Sequence, residues 1–141
     1  MRSSKIIVIA LSISLYAQLA SAETIQVLVK NAKNGQPVPN EKLSIQLYGE
    51  RDAREYVTDK NGIAVIEIKP TDRIWAATEW WITCKKLANS PAQPSDYVLA
   101  NDVLREGVTL SNTCGREKSE PIRGKLIIFA RKASLIENLK R

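Results

Sequence analysis

Apolar and polar residues alternate in two segments that follow residue 23. Residues 24–30 and residues 42–48 both place an apolar side chain at every second position, and Asn34-Gly35 supplies a turn sequence between them. The apolar positions are Ile25, Val27, Val29, Leu43, Ile45 and Leu47. A period of two is typical of a strand with one buried face, so the pattern predicts two half-buried β-strands.

A second turn sequence separates the next two apolar segments. Asp59-Lys60-Asn61-Gly62 lies between residues 54–58 and residues 63–68, and this arrangement predicts a β-hairpin. Residues 74–83 are rich in aromatic and β-branched side chains, which predicts one further strand. At the end of the chain, residues 125–130 predict a last apolar strand and residues 133–139 predict a terminal helical turn.

Proline and glycine interrupt the chain repeatedly between residues 85 and 124, where strand periodicity is weak. Within this excursion, Ser95-Asp96 is a capping signal for a short helix over residues 98–104, and Gly107 would end that helix. The strands elsewhere are short and separated by turn signals every eight to twelve residues or so. This spacing favours an all-β antiparallel sandwich or barrel over alternating βαβ units.

Two runs of the chain carry a resemblance to a known family. Residues 37–47 read Pro-Val-Pro-Asn-Glu-Lys-Leu-Ser-Ile-Gln-Leu, and residues 58–66 read Thr-Asp-Lys-Asn-Gly-Ile-Ala-Val-Ile. Together they resemble the carboxypeptidase regulatory-like, or transthyretin-like, family over residues 24–70. The resemblance implies an antiparallel, Ig-like β-sandwich, to which the excursion would be added. The later part of the chain, around residues 112–115 and 125–131, resembles small secreted bacterial proteins, a likeness that implies no chemistry.

The N-terminal segment has the three parts of a secretory signal. Arg2 and Lys5 precede an apolar run over residues 6–15, and Ala20-Ser21-Ala22 provides the small residues of a cleavage site. The alternative is an uncleaved membrane anchor, but the run has half of the roughly twenty residues that a spanning helix needs. We therefore expect residues 1–22 to be removed. The product, residues 23–141, is expected to be one periplasmic or secreted domain without stable membrane insertion.

Both cysteines, Cys84 and Cys114, lie in the part of the chain expected to be exported. An oxidising compartment favours a disulfide between them, which would close the excursion. The alternatives are two buried free thiols or metal ligation, and a metal would need more ligands than two cysteines provide. A redox pair is disfavoured because such pairs usually have Cys-x-x-Cys spacing.

Charge says little about the partner. Removal of Arg2 and Lys5 leaves 19 basic residues against 15 acidic ones, a mature charge of +4. The basic excess concentrates after residue 115, where it represents either a solvated surface or a site for an anionic partner. Nucleic acid is not an expected partner of an exported protein.

The chain contains no histidine. This removes Ser-His-Asp and Cys-His catalysis, imidazole-bound zinc and the commonest general base near neutral pH. The transthyretin-like enzymes, hydroxyisourate hydrolases and intradiol dioxygenases, rely on histidine, so the chain departs from their functional pattern. Residues 59–62 resemble a calcium loop, but Val57 stands where another oxygen ligand is needed. We therefore expect no enzymatic activity, no cofactor and no metal.

Two binding functions remain as hypotheses. The first is a protein-interaction module of the cell envelope or secreted space, which meets its partner at an edge strand or at the excursion. The second is polysaccharide binding by a platform formed from Trp75, Trp80 and Trp81. Because Trp80 and Trp81 are neighbours in a predicted strand, one faces away from the core, where the excursion covers it or a ligand stacks on it. The apolar tail residues, Leu135, Ile136 and Leu139, are expected to dock on their own sandwich rather than on a membrane.

Overall fold

The computed structural model describes residues 22–85 and 96–140. In chain order the strands are β1 (Glu23–Asn31), β2 (Lys42–Leu47), β3 (Arg54–Val57), β4 (Ile63–Ile68), β5 (Arg73–Thr78), β6 (Ile82–Thr83), β7 (Val98–Leu99), β8 (Val108–Thr109) and β9 (Lys125–Arg131). Two short helices are α1 (Ala100–Arg105) and α2 (Leu135–Asn138). The predicted signal segment, except for Ala22, lies outside the described residues, as does Ser95 of the predicted cap.

The strands form two sheets in a sandwich-like, all-β arrangement. The first sheet has the order β4-β1-β9-β6, with β8 also pairing with β9, and the second has the order β3-β2-β5-β7. The predicted antiparallel pairing holds for most neighbours, but β1 with β9 and β8 with β9 are parallel. Parallel strands need a long crossover. Here most of the chain lies between β1 and β9 and supplies that crossover.

The core lies between the two sheets. All six alternating positions predicted from residues 24–30 and 42–48 are buried in it, together with apolar side chains of β4, β5 and β9. Strand β9 differs from the others because its five central residues are all buried. A strand with a continuous apolar run is typically covered on both faces. Phe129 on the second face packs with Ala32 and Cys84, where the excursion covers the first sheet.

The predicted hairpin of residues 54–68 is wrong in its pairing. Strand β3 pairs with β2 in the second sheet, whereas β4 pairs with β1 in the first sheet. The cause is Thr58, which is buried at the end of β3. Its hydroxyl donates to the carbonyl oxygen of Val38 at 2.8 Å and accepts from the backbone N–H of Glu41 at 2.8 Å. These bonds hold β3 beside β2, so the turn over residues 59–62 crosses from one sheet to the other.

The predicted helix of the excursion is shorter than expected. Val98–Leu99 forms strand β7 against β5, and helix α1 begins at Ala100. Gly107 ends the helix as predicted, with a φ of +80° and with its N–H donating to the carbonyl oxygens of Asp102 and Val103. A β-carbon at Gly107 would overlap the carbonyl oxygen of Ile122. Glycine is required here both for the left-handed backbone and for this close approach.

Candidate interaction surfaces

The predicted strand over residues 74–83 is interrupted by a bend at Glu79, Trp80 and Trp81. Strand β5 ends in the second sheet at Thr78, and β6 begins in the first sheet at Ile82. The expectation that Trp80 and Trp81 point to opposite faces of one strand is therefore wrong, because neither residue belongs to a strand.

A buried carboxylate holds this bend. Glu41 is 1% exposed, and its Oε1 accepts hydrogen bonds from the backbone N–H of Trp80 at 2.8 Å and of Trp81 at 3.0 Å. The hydroxyl of Thr78 donates to the carbonyl oxygen of Trp81, and the N–H of Thr78 donates to the hydroxyl of Thr83. A carboxylate that accepts two backbone N–H groups makes charge-assisted bonds, which are stronger than neutral ones. Sequence reasoning missed Glu41, since it precedes an ordinary alternating strand.

The three tryptophans occupy different environments. Trp75 lies on the outer face of β5, where the Nζ of Lys85 is 4.3 Å from its ring centroid. Trp81 is half-buried and packs against the core, with the Nζ of Lys132 at 5.8 Å from its ring. Trp80 is 58% exposed, which identifies it as the outward member of the Trp80-Trp81 pair.

Lys85 is held over Trp75 by more than the ring. Its Nζ donates to the carbonyl oxygen of Ala76 at 2.7 Å. Burial lowers the pKa of this ammonium to about 8, against a smaller opposing effect of the Asp96 carboxylate. Because the amine covers the ring face, Trp75 offers little surface on which a ligand could stack.

Strand β4 is the last strand on one side of the first sheet, so in the described part of the chain its outer edge pairs with no other strand. The N–H of Val29 donates to the carbonyl oxygen of Gly62, so the even-numbered residues of this strand direct their backbone groups toward β1. By alternation, Val65 and Glu67 direct theirs toward the open edge. The carbonyl of Glu67 accepts a bond from Nη1 of Arg54 at 3.3 Å. Val65 is 56% exposed, and no strand among residues 22–85 and 96–140 pairs with β4 on this edge.

The tail helix α2 does not bury its apolar residues. Leu135 is 82% exposed, Ile136 is 68% exposed and Leu139 is 83% exposed, so the expectation that the tail docks on its own sandwich is wrong. Two contacts fix the helix instead. Ser134 caps it by accepting from the N–H of Glu137, and Arg131 binds both carboxylate oxygens of Glu137, at 3.2 and 2.9 Å. The tail thus displays its apolar side chains to solvent.

The disulfide predicted between Cys84 and Cys114 is present, with Cα atoms 5.5 Å apart. It fastens the excursion beside β6. Asn112 organises the same loop, because its Nδ2 donates to the carbonyl oxygens of Ala32 and Glu117 and its Oδ1 accepts from the N–H of Cys114. A cavity of about 780 Å³ lies between this loop and Phe129. Its wall combines cationic and anionic side chains and does not favour one class of ligand.

Within the described part of the chain, no group of three or more potential metal-ligating side chains comes together. Across the same residues, no helix has the length and apolar character to cross a bilayer.

No family model matches the chain, and neither curated proteins nor solved structures give a match. The described residues form an all-β, two-sheet, disulfide-bonded protein, and its exposed apolar side chains include Val65 on β4, Trp80 and the apolar residues of α2.

Proposed function

We propose that this chain is an exported, non-catalytic binding module of transthyretin-like architecture, which acts in the periplasm or the secreted space by adding a segment of a protein partner to the edge of β4. The open edge at Val65 carries this proposal. The N-terminal signal pattern supports export, and the disulfide fits an oxidising compartment.

An open edge strand is a template for β-augmentation, in which main-chain bonds give affinity and alternate side chains give specificity. Strand β4 is six residues long and has one charged side chain, that of Glu67. A partner strand would place an apolar side chain beside Val65 and a basic side chain near Glu67. The outer edge of the second sheet is a weaker candidate, because β3 has only four residues.

We expect Val65→Pro to abolish peptide binding at this edge. Proline removes the one N–H that points outward at position 65, and edge strands tolerate proline where the N–H faces solvent. The ladder between β4 and β1 uses the even-numbered residues of β4, so the substitution at position 65 leaves it intact. Peptides selected from a phage-displayed random library on the processed protein should bind Val65→Pro about tenfold or more weakly, as measured by isothermal titration calorimetry.

Val65→Thr is the matched control, since threonine keeps both the N–H and the β-branched shape. It should bind the selected peptides nearly as well as the native protein. Equal affinity of the peptides for the native protein and for Val65→Pro would contradict the β4 edge as the binding site, and so would failure to select any peptide.

Polysaccharide binding is the second candidate, favoured by the exposure of Trp80 on a bend that Glu41 holds. An aromatic ring kept in a fixed position can stack on a sugar ring without losing conformational freedom on binding. We expect affinity electrophoresis of the processed protein through gels containing a panel of polysaccharides to show retardation by one of them. Trp80→Ala should remove that retardation with little effect on folding.

Trp75→Phe is the control for this candidate, because the ring of Trp75 is covered by Lys85. It should migrate like the native protein. Unhindered migration of the native protein in every gel would exclude this candidate and leave the β4 edge as the proposed site.

A further inference from the structure

The tail and the Trp80-Trp81 bend lie at the same end of the molecule. Ile82 of β6 pairs with Arg131 of β9, so the chain entering β6 and the chain leaving β9 run side by side. The contact between Lys132 and the ring of Trp81 joins the two segments directly. Helix α2 begins four residues after β9 ends.

The apolar residues of α2 are the most exposed large aliphatic side chains in the described part of the chain. Exposed apolar residues gathered in one place usually mark an interaction site. The salt bridge from Arg131 to Glu137 and the Ser134 cap hold α2 in this pose. Displaying the apolar side chains is therefore a consequence of specific contacts at the base of the helix.

Two lysines lie close to this patch in the chain. Lys132 and Lys140 flank the helix, and neither forms an ion pair with any residue among 22–85 and 96–140. Glu137, the one carboxylate of the segment, is engaged by Arg131. The patch thus combines three aliphatic side chains with two ammonium groups on its rim.

We infer that this end of the protein docks on the surface of an anionic phospholipid bilayer. Leu135, Ile136 and Leu139 would enter the boundary between headgroups and acyl chains, while Lys132 and Lys140 remain at the phosphate level. A second copy of the chain fits less well, because a two-fold contact would bring the same lysines toward each other. The inference goes beyond the proposed function, since β4 remains available for a protein partner.

Binding by so small a patch is weak and reversible, because stable anchoring needs more buried apolar surface than three side chains provide. Vesicle flotation is the appropriate test. It uses protein processed by a secreting host, with an N-terminus at residue 23 verified by mass spectrometry, because residues 6–15 would bind lipid by themselves. Flotation with vesicles of phosphatidylglycerol and phosphatidylethanolamine is compared with flotation with phosphatidylcholine vesicles.

We expect flotation with the anionic vesicles and at least about tenfold less partitioning for the variant Leu135→Ser/Leu139→Ser. Lys140→Gln should weaken partitioning about fivefold on the anionic vesicles and leave phosphatidylcholine unaffected. Val57→Ser, which removes a 57% exposed aliphatic side chain elsewhere, is the control and should float like the native protein.

Equal flotation of the native protein and the double serine variant would overturn the inference. It would also be overturned if the native protein stays with the unbound fraction on anionic vesicles, or if it is a dimer in gel filtration that the double serine variant dissociates. Circular dichroism of each variant verifies that the sheets are intact. Substitutions in α2 should leave the sheets intact, because the apolar side chains of α2 make no contribution to the core.

Discussion

Glu41→Ala should lower the free energy of unfolding by about 3 kcal/mol, the cost of leaving two packed backbone N–H groups without their charged acceptor. The native carboxylate accepts from Trp80 and Trp81 in a residue that is 1% exposed. Alanine offers neither an acceptor nor the volume of the side chain. Urea denaturation followed by far-ultraviolet circular dichroism measures the change without relying on the tryptophans of the bend.

Glu41→Gln is the matched control, because the amide oxygen can take the place of Oε1 as a neutral acceptor. Its expected loss is about 1 kcal/mol. Glu67→Ala removes an exposed carboxylate elsewhere and should change stability by no more than about 0.5 kcal/mol. If alanine and glutamine at position 41 destabilise the protein equally, a neutral acceptor with the full side-chain volume contributes nothing, which contradicts the role given to the two hydrogen bonds.

The second large effect is expected from the disulfide. Cys84 and Cys114 are 30 residues apart, and opening this loop in the variant Cys84→Ala/Cys114→Ala should cost about 3 to 4 kcal/mol by the chain-entropy model. The sheets should still form, since the bond lies outside the core between them. The free energy of unfolding of this variant should agree with that of native protein kept reduced throughout the measurement.

Thiol alkylation provides the independent check. Protein purified from an oxidising compartment should take up alkylating reagent only after reduction, with two thiols then labelled per chain. Labelling of two thiols in unreduced protein would show that the disulfide does not form in solution. A double alanine variant as stable as the native protein would show that the loop closure contributes nothing.

The Glu41 hydrogen bonds and the disulfide act on the same crossing of the chain between the two sheets. Residues 79–84 carry it from the second sheet to the first, with Glu41 holding the start and the disulfide holding the end. Trp80 is displayed by this crossing. Loss of either anchor should therefore also impair any ligand binding at Trp80, whereas the β4 edge, which depends on β1, should be unaffected.

Sequence alone predicted strands β1 to β4 and β9, the glycine that ends α1 and the disulfide between the two cysteines. An alternating pattern shows which residues of a strand share one face. The alternating apolar positions of β1 and β2 are buried, as this pattern predicts. The apolar run of residues 125–130 likewise predicted strand β9. The identity of the exposed tryptophan was not, because the rule of opposite faces applies only within a strand, and Trp80 and Trp81 lie in a bend.

Only the tertiary structure decided which sheet each strand joins and which surfaces stay open. Alternation does not say which edge the next strand meets, so the predicted hairpin of residues 54–68 was separated into two sheets by the bonds of Thr58. The bend at Trp80 depends on the carboxylate of Glu41, which lies 39 positions earlier in the chain. The spacing of residues in the sequence does not predict such a long-range contact. The tail has an amphipathic pattern that fits either docking or exposure, and the contact of Arg131 with Glu137 selects exposure.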